Sequence, residues 1–177
     1  MTRQICDGFR TLGKSVPLLL ASSAQAELAN PYGRSKLAAE QAVEQLAQNN
    51  GNPVAIYRLP GVFGKWCKPN YNSVVATFCH NKAHDLPVQI NDANARIRLV
   101  YVDDVVSAFL SLLATPCSGA LRPVVQPEYS ITLGELREFF GECFNQITAC
   151  HAGILLEQNF RIKKKPAWAL GRDAGGL

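Results

Sequence analysis

The pair Ser22-Ser23 closes an apolar run, and shortly downstream Tyr32 and Lys36 stand four positions apart after Asn30-Pro31. Residues at i and i+4 of one helix share a face one turn apart, so a helix starting near Pro31 brings the tyrosine and the lysine together. A phenol in water is a weak acid, but an ammonium one turn away and the positive end of a helix both favour its phenolate. A serine hydroxyl at the same edge can hydrogen-bond a carbonyl oxygen. Together these types predict proton transfer at a carbonyl. A Tyr-x-x-x-Lys spacing by itself arises often by chance, so the elements that carry it decide its meaning.

Those elements read in order as alternating helices and strands. Thr2 to Leu12 is a helical segment ending near Gly13, and Pro17 to Ala21 is a short, continuously apolar strand of the kind buried on both faces in parallel sheets. Asn30 suits an N-cap and Pro31 the first helical position. Ala39, Ala42, Val43 and Leu46 then repeat at helical spacing until Asn49-Asn50-Gly51. Val54 to Leu59 is a second apolar strand. A Gly-, Pro- and Asn-rich loop, Pro60 to Asn72, is longer than packing requires and leads into a helix from Ser73 to Lys82. Ile97 to Val102 is another strand, Asp103 caps a helix from Asp104 to Ala114, and Val124-Val125 is a candidate strand. Thr132-Leu-Gly-Glu135 is a capping-box pattern opening a helix that runs to about Phe144. This alternation predicts an α/β fold with a mainly parallel sheet. Ser23 then falls just past the C-terminal end of a parallel strand, where open α/β sheets place their ligand crevice.

Composition bounds the rest. The 177 residues are 47% hydrophobic and 18% charged, a globular balance large enough for a real core. The formal net charge of +4 is mild and dispersed except for Arg161 to Lys165, which makes no case for a nucleic-acid partner. The cysteines at 6, 67, 79, 117, 143 and 150 show no C-x-x-C pair and read as reduced thiols, which favours a cytoplasmic home. The run Val16 to Ala21 imitates a signal peptide but is too short and carries Pro17. No apolar run approaches the ~18 residues of a membrane span. His80 and His84, with Cys79 adjacent, have metal-ligand spacing, yet Asp85-Leu-Pro87 ends the helix there and no further ligand set is evident; no metal is expected. After Cys150 periodicity fades into a basic, Gly-containing tail, 151–177. It reads equally as a solvated extension, a cloning remnant or an out-of-frame ending. Residues 1–150 are expected to form the folded domain.

A strand ending in Ser22-Ser23, a short connection, Asn30-Pro-Tyr-Gly-x-Ser-Lys-Leu37 and a helix resemble the extended short-chain dehydrogenase/reductases, the NAD-dependent epimerase/dehydratase family. The runs from Tyr57 to Ser73, including Gly-Lys-Trp-Cys-Lys-Pro-Asn-Tyr-Asn-Ser, and from Tyr101 to Val106 resemble its nucleotide-sugar branch. Within that branch they are similar to the bacterial capsular-polysaccharide and O-antigen reductases of UDP-linked 4-keto-6-deoxy-N-acetylhexosamines. The similarity covers about Thr2 to Phe144. It implies a Rossmann-like doubly wound parallel sheet and a Ser-Tyr-Lys catalytic triad. Ser23, with Ser22 as its competitor, would polarise the C4 ketone oxygen, Tyr32 would give it a proton, and Lys36 would assist Tyr32 and hold the nicotinamide ribose of NADP(H) or NAD(H).

The resemblance also implies that Pro60, Val62 and Phe63 lie against the cofactor through their backbone, and that Lys68, Asn70 and Asn72 face a UDP-sugar. Two departures from the branch stand out. Gly61 replaces a frequent substrate-binding asparagine, and Ile97 replaces a frequent phosphate-binding arginine, leaving Arg96 and Arg98 as substitutes. A dinucleotide enzyme of this type also needs a Gly-rich turn between a first strand and a helix, and none of the 13 glycines forms that pattern. The reading is therefore the second part of the doubly wound sheet, without its N-terminal dinucleotide-binding strands. It is expected to be inactive alone and to associate with itself or with a complementing N-terminal chain. A nucleotide-sugar epimerase or dehydratase part, or a non-catalytic half that binds UDP-sugar or a partner, are the alternatives.

Overall fold

A computed structural model describes residues 1–114 and 119–144, the side chains of 142–144 excepted. These residues form two compact units, one from the described residues of 1–62 and 103–128, the other from 63–102 and 129–144. The basic run 161–165, the tail from 151, Cys117 and Cys150 lie outside the described residues, as does the side chain of Cys143.

In the first unit, helix α1 (Thr2–Thr11) precedes strand β1 (Leu18–Ser23), a short 3-10 helix (Ala24–Glu27) and the long helix α2 (Pro31–Asn50). Strand β2 (Val54–Leu59) follows and pairs parallel with β1, Leu18 opposite Val54 and Ser22 opposite Arg58. The local signals act as the residue types dictate. The Asn30 side chain accepts the Gly33 backbone N–H at 2.7 Å, Pro31 sets the first helical position, and Gly51 ends α2 with a left-handed φ of 67°. The apolar face of α2 (Ala42, Val43, Leu46) packs on Val54, Ile56 and Cys6. Burying an aliphatic side chain of this size stabilises the fold by roughly 1.5–3 kcal/mol relative to leaving it in water.

Strand β3 (Gly61–Phe63) runs from the first unit into the second, which holds helix α3 (Val74–Ala83), β4 (Arg96–Tyr101), all of β6 (Glu128–Thr132) but its first residue, and α5 (Leu133–Phe144). Helix α4 (Val102–Ala114) and β5 (Ala120–Leu121) belong to the first unit almost entirely. Ser73 caps α3 through Ala76 N–H. Thr132 and Glu135 close the expected capping box, Glu135 N–H donating to Thr132 Oγ1 at 3.1 Å and Thr132 N–H to Glu135 Oε2 at 2.8 Å. The core is aromatic: Phe63 packs against Tyr101 and Tyr129, and Phe78 against Phe140.

Three details differ from the sequence reading. The described strands form two sheets, β1-β2-β5 and β3-β4-β6, because the segment from Gly61 leaves β2 at Pro60, which has no N–H to continue a ladder. Val124-Val125 is not a strand. Pro123 and Pro127 bracket it, and the strands lie on either side as β5 and β6. Helix α4 starts at Val102, so Asp103 and Asp104 lie in its first turn, where carboxylates suit the helix dipole. Among the described strands β1 pairs with β2 alone, and Leu18, Leu19 and Leu20 are half-buried. Among the described residues no helix is long and apolar enough to cross a membrane.

Candidate active site

The end of β1 separates the two serines. Neighbouring strand residues point to opposite faces. The Ser22 hydroxyl, buried, donates to Glu40 Oε1 at 2.5 Å, whereas Ser23 is half-buried and its Oγ accepts the Gln25 backbone N–H at 3.2 Å, capping the 3-10 helix. That short helix turns the chain straight into α2. Tyr32 is the second residue of α2 and stays 48% exposed, as a group that meets a substrate must. Lys36 Nζ lies 5.5 Å from the centre of the Tyr32 ring, so the expected pair is brought together.

The next residue, Gly33, explains how the turn and the helix fit. A Cβ built there would lie 2.3 Å from the carbonyl oxygens of both Gln25 and Leu28. Those are backbone atoms of the 3-10 turn and cannot swing away, so any side chain at 33 would push the turn off the start of α2. Ser23 and Tyr32 flank that contact.

Below the pair lies a group that the sequence reading missed. Glu40 is fully buried on α2 one turn beyond Lys36. Its carboxylate accepts Ser22 Oγ, Arg58 Nε at 3.0 Å, Arg58 NH2 at 2.7 Å and Arg122 NH1 at 2.9 Å. Arg58 also reaches Glu27 in the 3-10 turn at 3.0 Å, and Arg122 reaches Glu44 at 2.6 Å. The signal was present: a glutamate on the face of α2 that carries Val43 and Ala47, with an arginine at the end of an apolar strand. Buried charges are paired.

Burial alone would push the Glu40 carboxyl up, but the hydrogen bonds from Arg58, Ser22 and Arg122 outweigh it and hold the group at about 2. The same contacts raise Arg58. A carboxyl held below its ordinary 4.5 stabilises the folded state at every pH above that ordinary value. The contribution is lost as pH falls from about 4.5 through about 2, and is worth about 3 kcal/mol in full. Thermal unfolding followed from pH 6 to pH 2 is therefore expected to show a steep loss of Tm at the acid end, and Glu40→Gln should flatten it. An equally steep curve in Glu40→Gln would place the acid sensitivity elsewhere.

Of the other expected residues, Pro60 and Val62 are half-buried on either side of Gly61, while the Phe63 side chain is committed to the aromatic core and has only its backbone to offer. In the second unit Lys68, Asn70 and Asn72 are all exposed on one loop. Asn70 adopts a left-handed φ of 55°, which asparagine tolerates, and its N–H donates to Thr77 Oγ1 at 2.9 Å, tying the loop to α3. Trp66 in the same loop is 94% exposed with φ of 62°, and Lys65 Nζ lies 5.6 Å from its ring. Strand alternation places Arg96 and Arg98 on one exposed face of β4, opposite Ile97 and Leu99 on the core side, with Arg96 NH1 3.4 Å from Ser130 Oγ.

His80 and His84 stack with ring centres 4.2 Å apart, and His84 Nδ1 donates to the His80 carbonyl at 2.8 Å, a helix-end arrangement. Among the described residues no three His, Cys, Asp or Glu side chains come together as a metal site. Burial pushes the Cys79 thiol up to about 12, so it is inert as a thiolate ligand or nucleophile at neutral pH.

Comparison with known proteins bears on the family and the fold. Residues 14–125 match the family model described as NAD dependent epimerase/dehydratase family. Over 138 residues the chain is 51% identical to a UDP-2-acetamido-2,6-beta-L-arabino-hexul-4-ose reductase from Pseudomonas aeruginosa, covering 78% of this chain and 37% of that protein. The crystal structure of the capsular polysaccharide assembling protein CapF from Staphylococcus aureus superposes with a TM-score of 0.70 at 43% identity, over 78% of this chain and 39% of that one. A UDP-glucose 4-epimerase from Thermotoga maritima, 22% identical, shares the fold with a TM-score of 0.70 over 81% of this chain and 52% of its own. The chain thus spans well under half the length of the first two. A parallel β1-β2 pair feeding a Tyr-x-x-x-Lys helix, matched over residues 14–125, makes this chain a member of the NAD-dependent epimerase/dehydratase family.

Proposed function

We propose that the chain is the catalytic and sugar-facing part of an NAD(P)-dependent nucleotide-sugar reductase acting on the C4 ketone of a UDP-linked 4-keto-6-deoxy-N-acetylhexosamine. The observation that carries this reading is the juxtaposition of Tyr32 and Lys36 at the exposed start of α2, next to a strand end whose other serine is already spent on Glu40. The identity of 51% to a reductase of this substrate class supports it over epimerase or dehydratase chemistry, and the UDP-glucose 4-epimerase, at 22% identity, shares the fold alone.

The residues fit one end of a dinucleotide. Lys36, half-buried beside Tyr32, supplies N–H donors of the kind that hold ribose hydroxyls, and Pro60 to Phe63 offer backbone at the end of β2. None of the chain's glycines forms the turn that would meet the pyrophosphate. A bound NADPH or NADH would supply the hydride to the ketone carbon. The chain's own residues do the rest. Ser23 donates a hydrogen bond to the ketone oxygen and orients it. Tyr32 passes its phenolic proton to that oxygen as negative charge develops there, so the product is an alcohol, and Lys36 stabilises the phenolate left behind. On the sugar side, Lys68 answers the diphosphate, Asn70 and Asn72 answer hydroxyls or the uracil edge, and Arg96 or Arg98 takes the place of the arginine replaced by Ile97.

The substrate half of this reading is testable at one residue. Lys68→Ala is expected to weaken UDP-sugar binding by roughly 5- to 10-fold at low salt, with the difference shrinking as salt rises, because an exposed ammonium acts on a diphosphate through screened charge. Titration calorimetry at two ionic strengths measures it. Unchanged affinity at low salt would return Lys68 to the solvated surface.

A further inference from the structure

We infer that Glu40 is the positioning residue of this site: its carboxylate locks the rotation of α2 against the end of β1, and so sets where Tyr32 and Lys36 stand relative to Ser23. The inference deepens the proposed function and rests on it for the word catalytic, but its geometry stands by itself. One carboxylate gathers four chain segments. Ser22 is the residue of β1 just before Ser23, Arg58 comes from the β2 position paired with Ser22, Arg122 from the segment after β5, and Glu40 itself from α2. Through Arg58 the network extends to Glu27, inside the 3-10 turn that joins Ser23 to Tyr32. Both ends of the catalytic segment and its middle are therefore held from one point.

The direction of the helix makes this a control on the site rather than on the fold at large. Lys36 and Glu40 are one turn apart on α2, and Tyr32 is one turn before Lys36, so the three lie along one side of the helix. A rotation of α2 that freed Glu40 from Ser22 would carry Tyr32 and Lys36 with it. Sliding by even ~1 Å matters to a proton donor, which works only within hydrogen-bond reach of its acceptor. The apolar contacts of Val43 and Leu46 set the helix on the sheet but do not fix its rotation to that precision, because aliphatic contacts are non-directional. A carboxylate met by a fork of guanidinium N–H groups is directional.

Two measurements test it. In the 177-residue chain, Glu40→Gln is expected to speed amide hydrogen exchange by at least about 10-fold across residues 23–34, while exchange in β4 and α5 of the second unit is unchanged. In a chimera where the 138 matched residues of this chain replace the corresponding segment of the Pseudomonas reductase, Glu40→Gln should lower kcat by about 10- to 100-fold with KM within about twofold, at a temperature well below its Tm. Ser22→Ala should give a smaller loss of the same kind. Unchanged exchange over 23–34, or a Glu40→Gln chimera with full kcat below its Tm, overturns the inference. Tyr32→Phe in the same chimera is the control. If it keeps its turnover the proton-donor reading fails, and the exchange result still decides whether Glu40 holds the turn.

Discussion

Tyr32→Phe, introduced into that chimera, is expected to lower ketone reduction by about 10²–10⁴-fold while leaving UDP-sugar affinity within about twofold. The phenol is the group at the start of α2 assigned to deliver the proton, and phenylalanine keeps the ring, its contact with the Lys36 ammonium and the helix itself. Removing the hydroxyl thus removes the proton without removing the shape. The contacts proposed for the UDP moiety and its diphosphate come from the Lys68 loop and the arginine face of β4 rather than from Tyr32, which is why affinity should persist. Turnover and affinity measured on the same preparation separate the two. Near wild-type turnover in Tyr32→Phe would show that the proton reaches the oxygen by another route.

The second large effect is an expected failure to bind. The 177-residue chain is expected to show no saturable uptake of NADPH or NADH in the micromolar range, and no reductase activity alone. The pyrophosphate of a dinucleotide is held by backbone N–H groups at a Gly-rich turn opening a helix, and no stretch of this sequence has that form. Lys36 can meet a ribose, which leaves most of the ligand in water. The same chain is expected to self-associate as its concentration rises. Among the described strands β1 pairs with β2 alone, and α4 carries Val106, Leu110 and Leu113 exposed at helical spacing on one face. Calorimetric titration of the monomer and sedimentation across a concentration series are the measurements. One-to-one micromolar binding of either dinucleotide overturns the first expectation, and a monomer at every concentration the second.

What the sequence determined by itself was local. The N-cap Asn30, Pro31 at the first helical position, Gly51 at the end of α2, the Thr132–Glu135 capping box and the pairing of Tyr32 with Lys36 all depend on residues within a few positions of each other, and each is where the residue types require it. The family followed from the same short motifs. Tertiary structure alone decided the rest, because burial and charge pairing are made by segments distant in the chain. Whether Ser22 or Ser23 points inward could not be read from two adjacent serines; it was settled by Glu40, 18 positions away, taking one of them. The path of the chain beyond Pro60 into a second sheet depended on which strands lay alongside. Burial would raise the Glu40 carboxyl, but it is held at about 2 because Arg58, Ser22 and Arg122, the last 82 positions removed, converge on it, and no spacing rule along the chain reports that convergence.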